Sequence, residues 1–350
     1  VIDEDGLRRA IIRTALDYRD GDHDEDAEWL VPVAAEFIGP GSHEVALDVL
    51  RTRADPERVV AAGLFQRWSL QGPSGGWRPG MIDDLARISA GTDQMDVLTA
   101  LVRALVALGD DRAFPVLASR VSDPDPDIRW VCALELPGAV DWTADPLAGR
   151  AELVDLARDP DEHVREWALF AIGSQSPFDG SDIRELLVES TLDPVEAVRH
   201  EALRGLARRR DRRATPGITY LLEQNEVSSQ TLFAAAMLGD PSLMPLLRTV
   251  EEREDSEPTG EIDELRLALL TCDPRRREQL ATFGQDLLEE LHRLHPGGAW
   301  SLHCEKFEGD VVLSGPGSGW TWALDPLRRR AGDNAARAAR LAVQDLAQES

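Results

Sequence analysis

A phrase recurs in the middle of this chain at near-constant spacing: Asp-Pro, four residues, then Arg. It runs from Asp123-Pro124 to Arg129, from Asp159-Pro160 to Arg165 and from Asp193-Pro194 to Arg199, so the arginines stand 36 and then 34 residues apart. Self-similarity at that period constrains the chain more than any single motif. Each copy is one supersecondary unit that cannot bury its apolar face alone, so copies must stack to build a continuous core. Such a stack is in the first place a surface for partners, and any chemistry has to be argued separately from the fold.

The phrase predicts a helix start, with Asp as cap and Pro in the first turn. Counting from the Arg, apolar or small residues recur at −1 (Ile128, Val164, Val198), +3 (Cys132, Ala168, Ala202), +4 (Ala133, Leu169, Leu203) and +7 (Leu136, Ile172, Leu206). That spacing draws one stripe on a helix, and the small residues at +3 permit close helix approach. A second phrase marks the other helix of the unit: Asp110, Asp211 and Asp240 are each followed five residues later by Pro115, Pro216 and Pro245. The Asp and Arg of the first phrase are expected to be structural, the Arg reaching the Asp of the neighbouring unit to form a ladder.

With Leu108-Gly109-Asp110, Pro115-Val116-Leu117, Asp123 and Val131-Cys132-Ala133 in place, the segment resembles a HEAT repeat of the short bacterial kind also found in phycobilin lyases. In that family a proline lies in the first helix, and an Asp and an Arg six apart open the second. Pro115, Asp123 and Arg129 match all three positions, and the resemblance covers residues 93–255. It implies an all-α fold, a right-handed α-α superhelix or HEAT-like solenoid. The chain is then divided into degenerate helical repeats over 1–92, clear repeats over 93–255, a closing helix pair over 256–296 and a C-terminal cap over 297–350. Within the clear region the helix pairs fall near 93–110/111–122, 126–137/146–158, 161–174/181–191, 195–210/214–224 and 227–238/241–253. In the cap, Trp300 to His303 and Asp310 to Leu313 flank Glu308-Gly309 as a short hairpin, and Asn334 to Gln348 reads as a last amphipathic helix.

Composition limits the partners. With 43% hydrophobic and 29% charged residues the chain can bury a core and stay in water, and no run of about 18 apolar residues predicts a membrane span. Val1 to Arg9 carries acids rather than a basic stretch ahead of an apolar one, so no secretory signal is expected. Cys132, Cys272 and Cys304 form no paired framework, and a reducing, cytoplasmic setting is the expectation. The net charge of −26 repels a nucleic-acid backbone and favours a basic protein or peptide. The densest basic cluster, Arg204 to Arg213, straddles a helix end and turn and is read as a solvated helix terminus.

The HEAT resemblance implies that the helix opened by the Asp-Pro phrase lines the concave face. At about 100° per residue, positions +1 and +5 point furthest from the buried stripe, with +2 on the flank. They hold Trp130, Val131 and Leu134, then Glu166, Trp167 and Phe170, then His200, Glu201 and Arg204. Large apolar groups thus stand where a solvated helix carries charge. The expected partner-binding residues are Trp130, Leu134, Glu166, Trp167, Phe170, His200, Glu201 and Arg204.

Other constellations weigh less. His200-Glu201 is similar to the His-Glu pairs with which deoxyhypusine hydroxylase, a HEAT-like protein, holds two irons. Here the aligned positions are Trp130-Val131 and Glu166-Trp167, and His43-Glu44 lies outside the clear repeats. His292, His295, His303, Cys304 and Glu305 match no four-ligand zinc spacing. The run Asp20 to Asp26 lacks the glycine and glutamate of a calcium loop. Gly72-Pro73-Ser74-Gly75-Gly76 has the letters of a nucleophile elbow in a helical context that cannot supply one. That loop and Gly315 to Gly319 lack a phosphate-loop lysine and end in Trp77 and Trp320, each expected to pin its loop.

The reading is therefore a non-catalytic scaffold or adaptor that grips a basic protein or peptide on its concave face, with no cofactor and no metal. One specific form is an immunity or antidote protein against a basic toxin. The alternative is a cofactor-handling or metal-dependent modifying enzyme of the phycobilin-lyase-like or deoxyhypusine-hydroxylase-like type. A HEAT-like alkylpurine DNA glycosylase would need a basic groove that this composition does not favour.

Overall fold

The computed structural model describes residues 4–20, 37, 40–70, 79–254, 263–294, 300–304, 311–314, 321–332 and 334–348. The glycine-rich loops with Trp77 and Trp320, the acidic run from Gly21 to Asp26, and His295 lie outside the described residues. The chain divides into two compact units, Val1–Phe178 and Asp179–Ser350.

The first unit contains α1 (Glu4–Asp20), α2 (Pro40–Thr52), α3 (Glu57–Ser69), α4 (Pro79–Gly91), α5 (Met95–Ala107), α6 (Ala113–Ala118), α7 (Pro126–Glu135), α8 (Arg150–Leu156) and α9 (Glu162–Phe170). They alternate between two layers. In the front layer α3 packs on α5, α5 on α7 and α7 on α9; in the back layer α2 packs on α4 and α4 on α6. The helices upstream of residue 92 therefore join the layers of the clear repeats.

The second unit repeats the plan. Its back layer is α10 (Ser181–Ser190), α12 (Thr215–Leu222) and α14 (Met244–Glu254), and its front layer is α11 (Glu196–Arg208), α13 (Ser229–Leu238) and α15 (Asp263–Cys272). Here α11 packs on α13 and α13 on α15. There follow α16 (Pro274–Leu294), strands β1 (Ser301–Cys304), β2 (Val311–Ser314) and β3 (Thr321–Ala323), then α17 (Leu324–Ala331) and α18 (Ala335–Gln348). The hairpin forms as expected, with Leu302 opposite Leu313, and β3 extends it to three antiparallel strands. Phe283, Leu287 and Leu291 of α16 bury against Trp300, Leu313, Leu327 and Ala338, and Leu270 of the last repeat joins the same core. The segment closes the last repeat by sharing its core.

The stripe is buried as its spacing predicts. Ile128, Val164 and Val198, the small residues Cys132, Ala168 and Ala202, and Leu136, Ile172 and Leu206 are all fully covered. Each such side chain removed from water contributes on the order of 1.5–3 kcal/mol when large, before entropy is set against it.

The Asp-Pro phrase works differently from the expectation. The N-caps are Asp125 and Asp161, and Val195 caps α11 without a side-chain bond. The phrase Asp sits two residues earlier and accepts from the N–H two positions on: Asp125 N to Asp123, Asp161 N to Asp159, Val195 N to Asp193. The following Pro holds the turn in shape, and the turn leaves two carbonyls pointing back at the helix. The Arg takes both. Arg129 donates to the Asp123 and Pro124 carbonyls at 2.8 and 3.3 Å, Arg165 to Asp159 and Pro160 at 2.9 and 3.0 Å, and Arg199 to Asp193 and Pro194 at 2.8 and 2.9 Å.

One rung of the expected ladder is seen. Arg129 grips Asp159 of the next repeat at 2.7 and 2.8 Å. The second phrase has its own rung: Arg112 bonds both oxygens of Asp110 and reaches Asp83, just as Arg213 bonds both oxygens of Asp211 and reaches Glu185.

Candidate functional site

Five of the expected site residues fall in the first unit. Trp130, Leu134, Glu166, Trp167 and Phe170 are all half-buried on α7 and α9, the adjacent helices of the front layer. Val131, at the flanking position, is fully buried and belongs to the core instead. Trp167 at the equivalent position is long enough for its ring to reach the surface, whereas a valine ends inside the packing.

The rings form a continuous cluster. Trp130 and Trp167 lie 6.1 Å apart at 89°, and Trp167 and Phe170 lie 5.5 Å apart at 81°. These edge-to-face contacts fix the rings relative to one another. Among the described residues neither the Trp130 nor the Trp167 indole N–H has an acceptor, and neither is among the buried polar atoms left unpartnered. Both N–H groups therefore face solvent. Trp142 shows the contrast: its indole donates to the Ala148 carbonyl at 3.0 Å and its ring stands on Phe178 at 5.7 Å.

Directly after Phe170 the helix widens into a π turn over Ala171–Gln175, closed by Ser176 N donating to the Ala171 carbonyl at 2.8 Å. Single π turns are rare and cluster at functional sites. Nothing in the sequence announced it beyond Gly173-Ser174, residues that tolerate irregular backbone.

Charge on this face is partly paired. Arg103 of α5 donates to Glu135 of α7, with contacts of 2.8 and 2.7 Å. Burial pushes the Glu135 carboxyl up, while the Arg103 bond pulls the other way. Glu166 has no hydrogen-bond or ion-pair partner among the described residues.

The other three expected residues lie in the second unit, on α11. Arg204 pairs with Glu201 at 2.5 Å, and His200 Nε2 stands 3.7 Å from Glu196. They edge a cleft of about 310 Å³, including its open mouth, floored by Leu203, Ile218, Leu221 and Ala234, with Gln230 and Thr231 also lining it. Of the neighbouring arginines, Arg210, Arg212 and Arg213 are exposed at the helix end and turn, as expected of a solvated terminus, whereas Arg209 is half-buried. Arg213 is held by Asp211 and Glu185, and burial lowers Arg209 to about 10 while its Nη1 donates to the Gly205 carbonyl.

Of the remaining ligand-type residues, His43 and His292 are described, while Glu305 lies outside the described residues. His43 is a core residue packed against Trp68 at 4.9 Å and Phe65 at 6.0 Å, and burial lowers it to about 4. It belongs to the first unit and His200-Glu201 to the second. His292 is exposed on α16 and bonds the Leu288 carbonyl at 2.7 Å. Among the described residues, no three His, Cys, Asp or Glu side chains are grouped to hold a metal ion. No described helix is long and apolar enough to cross a membrane.

Paired helices in two layers, Asp-Pro turns closed by an Arg and an Arg129–Asp159 rung between copies define a HEAT-like α-helical solenoid fold. Residues 150–228 match the family of HEAT repeats. It is 36% identical over 146 residues to protein YibA of Escherichia coli K12, an alignment covering 41% of this chain and 50% of YibA. The chain thus spans about half the length of the curated relatives it matches. The crystal structure of E. coli YibA superposes with a TM-score of 0.55 at 21% identity, over 77% of this chain and 97% of that one, and shows the shared fold. The CpcE–CpcF phycocyanin lyase complex of Nostoc sp. PCC7120 aligns at a TM-score of 0.37 and 19% identity, over 65% of this chain and 93% of that one. Human deoxyhypusine hydroxylase aligns at 0.28 and 17%, over 77% and 96%. At those scores neither informs the activity here.

Proposed function

We propose that this protein is a non-catalytic adaptor whose front-layer helices bind a basic protein or peptide. The observation that carries the reading is the half-buried cluster of Trp130, Trp167 and Phe170 beside Leu134, on positions the fold leaves facing outward. Aromatic rings already fixed by mutual contact lose little freedom when a partner covers them, which is how interface anchors concentrate binding energy. The net charge of −26 supports a basic partner, since the field speeds its encounter and repels acidic competitors.

The test is affinity capture from native extract with the parent chain and with the double variant Trp167→Ala, Phe170→Ala. A polypeptide retained by the parent and lost by the variant, at unchanged helical circular dichroism, supports the reading. Equal retention by both excludes this surface.

A further inference from the structure

We propose that the aromatic cluster and Glu166 together receive an arginine side chain of the partner. This rests on the binding face proposed above and names what that face reads.

The geometry comes first. An edge-to-face contact uses one ring face and one ring edge. The two contacts each take one ring face, and the Trp130 and Trp167 rings are only half-buried, with their N–H groups open to solvent. Indole faces carry negative potential and attract cations, tryptophan most strongly.

Charge comes second. Trp130 and Glu166 occupy the same position after the repeat Arg on α7 and α9, which pack side by side, and Glu166 precedes Trp167 in the chain. Arg103 of α5 is already engaged by Glu135. Glu166 has no partner among the described residues, so its charge is available to an incoming group.

The two features select one chemistry. A guanidinium is planar, so it can lie on an indole face and still direct its edge N–H groups to a carboxylate. An ammonium is a compact, strongly hydrated point charge that makes no such stacked and forked contact. An aliphatic side chain would fill the aromatic surface but leave Glu166 unanswered.

The test uses the full chain labelled with ¹⁵N and two probes: acetyl-Gly-Gly-Arg-Gly-Gly-amide and the same peptide with neutral citrulline in place of arginine. The indole N–H signals of Trp130 and Trp167 are assigned with Trp130→Phe and Trp167→Phe. The arginine peptide should shift both signals, and citrulline should bind at least about fivefold more weakly. Glu166→Gln should weaken the arginine peptide by a similar factor while the other indole signals hold their positions, which reports an intact fold.

Equal binding of the two peptides, no effect of Glu166→Gln, or no shift at either indole overturns the proposal. If capture of a partner still depends on Trp167 and Phe170 in that event, the binding face stands and only the arginine assignment falls. If instead capture is indifferent to those residues, the face itself is wrong.

Discussion

Replacing Arg129 by Met tests what holds consecutive repeats together. The guanidinium makes two bonds to Asp159 in the next repeat and two to carbonyls of its own turn. The side chains are 12% and 7% exposed, so solvent screens the pair little. Met fills the stem volume but leaves the Asp159 carboxylate buried opposite nothing, and breaking one side of a buried pair costs about 3–5 kcal/mol. The lower end applies, because Asp159 keeps the bond from Asp161 N at 2.9 Å. A loss of about 3 kcal/mol lowers Tm by about 6–12 °C for a cooperative unit of this size.

The double-mutant cycle with Asp159→Asn separates the rung from the turn. Asn keeps the acceptor for Asp161 N–H and removes the charge, so Arg129→Met should cost about 2 kcal/mol less in that background. Urea unfolding followed by circular dichroism measures each corner. Additive costs, or a single-variant loss below about 1 kcal/mol, would refute the idea that the rung joins the repeats. The acid side gives a second readout. Burial alone would push the Asp159 carboxyl up, but the bonds from Arg129 and Asp161 N–H, with the charges of Arg129 and Arg165, outweigh it and hold it below its usual range. Its contribution is therefore complete above the ordinary carboxylate pKa and fades only as pH falls through the depressed value. Arg129→Met should flatten that part of the profile.

Two further outcomes follow from buried contacts. His43 is lowered to about 4 from 6.5, so between those values the unfolded chain binds more protons, and stability should fall with pH by up to about 1.4 kcal/mol per unit. The urea midpoint of the parent should drop from pH 7 to pH 5 more than that of His43→Leu; parallel drops would show that His43 is not the group responsible. At Gly217 in α12, an added Cβ would stand 2.5 Å from Leu203 Cδ2, so Gly217→Ala should destabilise by about 1–3 kcal/mol despite the better helix propensity of Ala. Leu203→Val in the same chain should recover part of the loss, and a stabilised single variant would show that Leu203 moves aside freely.

The layers were legible because a stripe at −1, +3, +4 and +7 can be satisfied in only one way, by a helix with that side inward. The start of each helix was less so. Asp123 and Asp125, like Asp159 and Asp161, offer two acids two residues apart, and either can cap. Asp193-Pro194-Val195 held the clue: with no second acid there, the phrase recurs without any cap, so its Asp must serve the turn. β3 was invisible because Thr321 to Ala323 is too short to show alternation, and it forms only because β2 offers a free edge. The π turn after Phe170 and the burial of Val131 depend on how α5, α7 and α9 meet, which no local pattern encodes.

The positions that repeat and those that do not divide the labour of the chain. Asp, Pro, Arg and the buried stripe recur in all three phrases, because each answers a demand every unit shares: a closed turn and a dry interior. Positions +1 and +5 share no such demand. They hold Trp130 and Leu134, then Glu166 and Phe170, then His200 and Arg204. Water alone would favour polar groups at all of them, and the third phrase complies, closing Arg204 onto Glu201. The first two phrases keep aromatic groups half out of the core and an acid with no described partner beside them. Stability gives no reason for that combination, since covering those rings would contribute more than leaving them at the surface. The partner proposed above would account for it, by covering rings that the repeat itself leaves half out, at the place where the internal repetition stops.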